Sequence, residues 1–216
     1  MRFGRHVDMT VSRVYHLALS CVIATHAGDT ALAQQFTDVA ERAGIGYQHS
    51  GFMYIGGIAI ADFDDDGFQD IYVTTGEGYP NLLYLNDQDG TFAERASTSG
   101  IADMSEGWGA VAGDLDNDGD PDIYLTNYFS ENKLFLNDGG GRFVTAIESG
   151  ASDPGPSTSA ALADYNNDGH LDIYVLNRSQ AEVDYANALL LSNGDGSFTD
   201  VTAWSGTGNR GTSLAV

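Results

Sequence analysis

The chain has 216 residues, with 31 acidic against 9 basic side chains and a net charge of −22. That balance excludes nucleic acid and anionic membrane surfaces as partners, since both need basic patches. The one cysteine, Cys21, leaves no basis for a disulfide framework, a cysteine nucleophile in a mature chain or a zinc site held by cysteine.

Residues 1–33 read as a secretory signal. Arg2, Arg5 and Arg13 form the positive region, Val14 to Ala24 the apolar stretch, and Ala31-Leu32-Ala33 a small-x-small cleavage site before Gln34. Removing the segment takes away Cys21, Asp8, Asp29 and three Arg, which leaves 29 acids against 6 bases, or −23. The expected mature chain, 34–216, is secreted, extracellular or periplasmic, with the cell surface also open to it. No later segment carries the roughly 18 continuous apolar residues needed to span a membrane.

One nine-residue stretch then occurs three times. It reads Asp62-Phe63-Asp64-Asp65-Asp66-Gly67-Phe68-Gln69-Asp70, then Asp114-Leu115-Asp116-Asn117-Asp118-Gly119-Asp120-Pro121-Asp122, then Asp164-Tyr165-Asn166-Asn167-Asp168-Gly169-His170-Leu171-Asp172. Each copy runs directly into Ile-Tyr and an aliphatic residue. Carboxylates this crowded repel one another unless a cation joins them. Ca2+ takes six to eight oxygen ligands and suits alternating carboxylates on a loop turned by glycine. The expected ligands are side chains at positions 1, 3, 5 and 9: Asp62, Asp64, Asp66 and Asp70; Asp114, Asp116, Asp118 and Asp122; Asp164, Asn166, Asp168 and Asp172. Position 7, which is Phe68, Asp120 or His170, is expected to give a backbone carbonyl. Three Ca2+ sites result, and Asn166, which offers oxygen without charge, marks the third as the weakest.

Two other readings compete for these loops. A helix-flanked calcium loop requires a bidentate Glu at position 12, where this chain has Val73, Leu125 and Val175. Asp, Asn and Gly also build turns without metal, but three copies in register favour a common ligand.

Around each loop the chain repeats a larger unit. A run of small apolar residues precedes it (Gly57–Ala61, Gly109–Gly113, Ser159–Ala163). An Asn-led apolar run follows (Asn81–Asn86, Asn132–Asn137, Asn187–Ser192), then a Gly turn, then a run led by Phe92, Phe143 or Phe198. Short alternating runs split by Asn, Asp and Gly are hairpin signals. Four strands in about 50 residues describe one blade of a β-propeller. The expected fold is therefore all-β, with four-stranded antiparallel blades at about 56–95, 107–146 and 158–202. Phe36-Thr37-Asp38-Val39 matches the start of the fourth strand, and residues 211–216 match a first strand. About three and a half blades do not close a ring, so further blades are expected from a longer chain or from another one.

These residues resemble the FG-GAP/VCBS repeat family, specifically its secreted ASPIC/UnbV-type members. The likeness is carried by Ala61 to Gly67, by Asp122-Ile123-Tyr124-Leu125, by Asn193 to Thr202 and by Phe36 to Ile45. It implies an integrin-α-like propeller with Ca2+ in the loop joining the first two strands of each blade. It also implies a cell-surface or secreted adhesion and binding role, with an extracellular protein or glycan as partner.

Catalytic signals are sparse. Outside the signal only His49 and His170 remain, and no Gly-x-Ser-x-Gly elbow occurs. The alternative is part of a polysaccharide-acting enzyme whose catalytic residues lie elsewhere, and a scaffolding role is a third. Tyr72, Tyr124 and Tyr174 recur with the repeat and read as packing between blades. Trp108 does not recur and is the better ligand candidate, together with the long connection 177–185.

Overall fold

The computed structural model describes residues 36–46, 56–76, 78–179 and 183–210. The signal segment, His49 and the strand expected at 211–216 lie outside these residues. Three four-stranded antiparallel sheets form, each in sequence order. The first holds β1 (Ile58–Ala61), β2 (Asp70–Val73), β3 (Leu82–Asn86) and β4 (Phe92–Glu94), followed by the short helix α1 (Ala96–Ser99). The second holds β5 (Gly107–Gly113), β6 (Asp122–Asn127), β7 (Lys133–Asn137) and β8 (Phe143–Thr145). The third holds β9 (Ser157–Ala163), β10 (Asp172–Asn177), β11 (Ala188–Ser192) and β12 (Phe198–Asp200), followed by α2 (Thr202–Ser205).

The first strands pack side by side, β5 lying between β1 and β9. That closeness is why the run is built of small residues. A Cβ on Gly57 would come 2.5 Å from Gly109 Cα, and one on Gly109 would come 3.1 Å from the Thr158 carbonyl oxygen. Each sheet is thus a blade standing on an inner strand. The apolar core lies between blades. Phe63, Tyr72 and Leu83 of the first pack with Ile123, Phe135 and Phe143 of the second. Leu115, Tyr124 and Leu134 of the second pack with Ile173, Leu190 and Phe198 of the third. The three described blades form an open arc. Ile58 and Ile60, on the far side of β1, are 40% and 50% exposed, whereas their counterparts Ala110 and Ala112 pack on the first blade.

Tyr72 and Tyr124 pack between blades, while Tyr174, in the last described blade, is only half-buried, and the hydroxyls of all three are anchored as well. Tyr124 donates to the Ala151 carbonyl at 2.8 Å and accepts from Asn132 Nδ2 at 3.1 Å. The oxygen of that amide accepts the Asn127 N–H at 2.8 Å. Asn81 repeats this arrangement between Thr75 and Tyr72, and Asn187 between Asn177 and Tyr174. The Asn that opens each third strand thus ties the end of the second strand to the phenol of the recurring tyrosine, which is buried in the first two blades and half-buried in the third.

The described structure corrects one expected strand. Residues 36–39 are not in a strand. The fourth strand of a blade pairs with the third, as β12 does with β11, and no third strand lies beside 36–39 among the described residues. The segment that follows turns back through Gly44, at φ +78°, and the Ala43 carbonyl accepts the Phe92 N–H at 2.9 Å. The same device joins the later blades: Gly150 sits at φ +78°, and the Ser149 carbonyl accepts the Phe198 N–H at 2.6 Å. Each turn pins the outer edge of the blade after it.

Candidate metal centres in the acidic loops

The three loops fold alike because the same backbone conformations recur. Position 4 is left-handed in each (Asp65 φ 56°, Asn117 65°, Asn167 60°), and position 6 is a left-handed Gly (Gly67 87°, Gly119 103°, Gly169 95°). Asp and Asn tolerate that region better than most residues, and Gly has no penalty there. The position 1 carboxylates hold the tip. Asp62 accepts the Gly67 N–H at 2.8 Å, Asp114 the Gly119 N–H at 3.2 Å and Asp164 the Gly169 N–H at 3.0 Å. At position 7 the N–H groups of Phe68, Asp120 and His170 donate to the position 5 carboxylates Asp66, Asp118 and Asp168, at 2.8–2.9 Å.

Position 9 has a structural task that the sequence pattern alone did not reveal. Asp70, Asp122 and Asp172 are fully buried. In each, one oxygen accepts the N–H of position 2 (Phe63, Leu115 or Tyr165) at 2.7–2.8 Å. The other accepts an N–H at the end of the third strand (Asn86, Asn137 or Ser192) at 2.8 Å. This residue clamps the loop to the third strand of its own blade.

Carboxylate oxygens of Asp62, Asp64 and Asp70 lie within 4.8 Å of one another, and so do those of Asp114, Asp116 and Asp118. Asp122 is not in the second trio. In the third loop, Asn166 turns its amide nitrogen onto Asp168, at 2.7 Å, and no carboxylate trio of this kind forms there among the described residues. Two oxygens in the first two loops, Asp64 Oδ1 and Asp114 Oδ1, are buried without any hydrogen-bond partner. Burial and the neighbouring acids Asp66 and Asp62 raise the Asp64 carboxyl above its ordinary range, and burial with Asp118 and Asp114 does the same for Asp116. Burial pushes Asp70 up to about 6 and Asp122 up to about 7, against an ordinary 3.8.

The neighbouring blade covers the first two loops near Asp64 and Asp116. The turn at Gly141, between β7 and β8, donates its N–H to the Phe63 carbonyl at 2.9 Å, and Phe143 meets Phe63 edge-on at 5.7 Å. A Cβ on Gly141 would lie 3.3 Å from Asp64 Cβ, and one on Gly196 would lie 3.1 Å from Asp116 Cβ. Each of the first two loops is roofed by a hairpin of the next blade. The third loop has no such roof among the described residues, and Tyr165 is 44% exposed where Phe63 and Leu115 are fully buried.

A family model described as an FG-GAP-like repeat matches residues 62–125 and again 114–175, each match running from one acidic loop into the strand after the next. The chain belongs to this family. FG-GAP-like relatives include cartilage acidic protein 1 of Xenopus tropicalis, 36% identical over 81 residues, and of Homo sapiens, 31% identical over 100 residues. Those matches cover 37% and 46% of this chain but only 12% and 14% of the relatives, so the chain spans a small part of their length. Among solved structures, a lectin of Agrocybe aegerita, described for recognition of non-reducing terminal N-acetylglucosamine, is similar with a TM-score of 0.41 and 23% identity. That match covers 65% of this chain and 36% of the lectin.

The face away from the acidic loops carries the non-repeated aromatic residue. Trp108 stacks on Tyr128 with ring centres 3.9 Å apart and planes 5° off parallel, and its indole N–H donates to Glu106 at 3.0 Å. Tyr128 was not singled out by sequence. It lies twenty positions from Trp108, and only the pairing of β5 with β6 brings the two together. Among the described residues no helix is long and apolar enough to cross a membrane.

Proposed function

We propose that this FG-GAP repeat segment is a calcium-stabilised binding module acting outside the cell, with Ca2+ serving structure and not chemistry. The observation that carries the reading is the pair of orphaned, buried carboxylate oxygens, Asp64 Oδ1 and Asp114 Oδ1, each inside a trio of acids. Leaving a buried acceptor unsatisfied is costly, more so when it is charged. A hard cation satisfies it and removes the repulsion between neighbours. The donors at positions 1, 3, 5 and 9 are all oxygens, which suits Ca2+ rather than a metal that favours nitrogen or sulfur. Asp62, Asp64, Asp66 and Asp70 would hold the ion in the first loop, and Asp114, Asp116 and Asp118 in the second, with Asp122 bracing it. Asp164, Asn166, Asp168 and Asp172 would form a weaker third site. Backbone carbonyls at Phe68, Asp120 and His170 are the proposed seventh-position ligands.

The extracellular assignment is supported by the signal-like start and by relatives whose name shares this chain's acidity. Outside the cell, sites with dissociation constants of roughly 10⁻⁴–10⁻³ M would fill. Metal counting after equilibrium dialysis in millimolar calcium tests the reading. Two or three bound Ca2+ per chain are expected, with the third lost first on dilution. No bound calcium would overturn it.

The raised carboxyls give an independent expectation with a definite sign. Asp70 and Asp122 bind protons more tightly in the folded chain than in the unfolded one, so metal-free protein is stabilised by acid. Its stability should fall as pH rises from about 4 to about 7. Asp103, held low beside Lys133, is the buried group that opposes this among the described residues. In saturating calcium the slope reverses, because protons and Ca2+ compete for the same oxygens. Unfolding midpoints against pH, with calcium and with chelator, check the reversal; parallel curves would contradict it.

A further inference from the structure

We propose that the cavity between the inner strands, on the face away from the acidic loops, binds a short saccharide carrying one carboxylate, with Trp108 as its wall and Arg178 as the acid's partner. The inference rests on the binding-module reading above. The cavity measures about 520 Å³ and is lined by Gly56, Gly57 and Ile58 of the first blade, by Trp108, and by Thr158 and Ser159 of the third. That volume suits one or two sugar rings and lies within the usual range for small-ligand sites. A helix or a folded protein edge does not fit it.

Its chemistry differs around the wall. Glycine backbone on one side and hydroxyl-bearing residues on another present hydrogen-bonding groups close to a ligand, because no side chain intervenes at Gly56, Gly57 or Gly109. Trp108 is the exception. Its counterparts in the other blades are Gly56 and Thr158, so the indole is a single departure from a run of small residues. The ring is held in place by Tyr128 and by Glu106. Such bracing fixes the wall before a ligand arrives and lowers the ordering cost of binding.

The guanidinium of Arg178 supplies the charge. Its central carbon lies 6.0 Å from the Trp108 ring centre and 5.9 Å from that of Tyr128. Since the two rings are only 3.9 Å apart, a point almost equally far from both sits beside the stack, not over either face. Its planar fork is therefore not spent on a ring. No carboxylate among the described residues pairs with it; the ion pair there is Lys133 with Asp103. An arginine beside the Trp108 wall, with no carboxylate partner among the described residues and in a chain of net charge −22, offers a bidentate partner to one carboxylate. The surrounding field repels a polyanion.

The test is isothermal titration of the whole chain, in millimolar calcium, with methyl galacturonoside, which carries one carboxylate, and with the matching neutral methyl galactoside. The acidic sugar should bind, and the neutral one at least about tenfold more weakly. Arg178→Gln should lower binding of the acid to the level of the neutral sugar. Trp204→Phe leaves Trp108 as the one tryptophan, and its fluorescence should shift on addition of the acid. The inference is overturned if wild-type chain binds neither sugar, if it binds both equally, if Arg178→Gln changes nothing, or if a peptide with a free C-terminal carboxylate binds where the sugar does not. Unfolding midpoints with and without calcium are read on the same samples. A preserved calcium response with no sugar binding would count against the cavity proposal alone.

Discussion

Replacing Asp122 by alanine should lower the unfolding free energy by about 4 kcal/mol, with calcium and without it. The residue is fully buried in the middle blade, and its two oxygens take the N–H groups of Leu115 and Asn137 at 2.7 and 2.8 Å. Alanine leaves both donors unsatisfied, at about 1–3 kcal/mol each. Asp122→Asn should do little better, because its amide nitrogen must face one of the two N–H groups. Asp118→Ala supplies the contrast. Asp118 is exposed and accepts the Asp120 N–H at 2.9 Å, and its loss should matter mainly when calcium is present. Denaturant titrations of the three variants in calcium and in chelator read the difference. If Asp122→Ala were costly only in calcium, the clamp would be a metal ligand first, and the account of the loop given above would be wrong.

A second large effect is expected at the outer edge. Gly150→Ala should cost at least about 3 kcal/mol, whereas Gly206→Ala should cost about 1–2 kcal/mol. Both glycines are left-handed, at φ +78° and +76°, so both substitutions carry the strain of an L-residue in that region, about 1–2 kcal/mol. Only Gly150 faces another blade. Its new Cβ would meet the Phe198 carbonyl oxygen at 2.2 Å, while nothing lies within 4 Å at Gly206. Relief of that clash would pull the turn away from β12 and break the bond from the Phe198 N–H to the Ser149 carbonyl, at 2.6 Å. Equal losses at the two positions would mean that the turn does not fasten one blade to the next.

Much of the fold was legible because its signals are local. The acidic loop, the strand after it and the small-residue strand before it follow one another in the chain, and threefold repetition separates them from chance turns. Strand-scale features that depend on a neighbour were harder to see. Phe36–Val39 has the residues of a fourth strand, yet no strand forms there, since pairing needs a third strand beside it. Asp70, Asp122 and Asp172 read as ligands, and the pattern could not show that their oxygens already hold two backbone donors each. The Asn at 81, 132 and 187 stood in register throughout, a usable signal for a shared task, but its bond to the tyrosine across the sheet appears only in three dimensions. Trp108 was legible as an exception to the repeat. Its stacking partner Tyr128 was not, because it comes from just past the second strand of the same blade; Arg178 lay in the long connection 177–185, but its approach to Trp108 depends on the packing of the blade beyond.

The most direct measurement is thermal unfolding of residues 34–216 in excess Ca2+ and then in chelator. Bound calcium would satisfy the orphaned oxygens of Asp64 and Asp114 and favour the folded chain by mass action. The account predicts a markedly higher midpoint in calcium, with magnesium giving a smaller rise because it resists shedding water for a flexible oxygen site. An unchanged midpoint would contradict it, and the three loops would then be Asp and Gly turns held by their own hydrogen bonds.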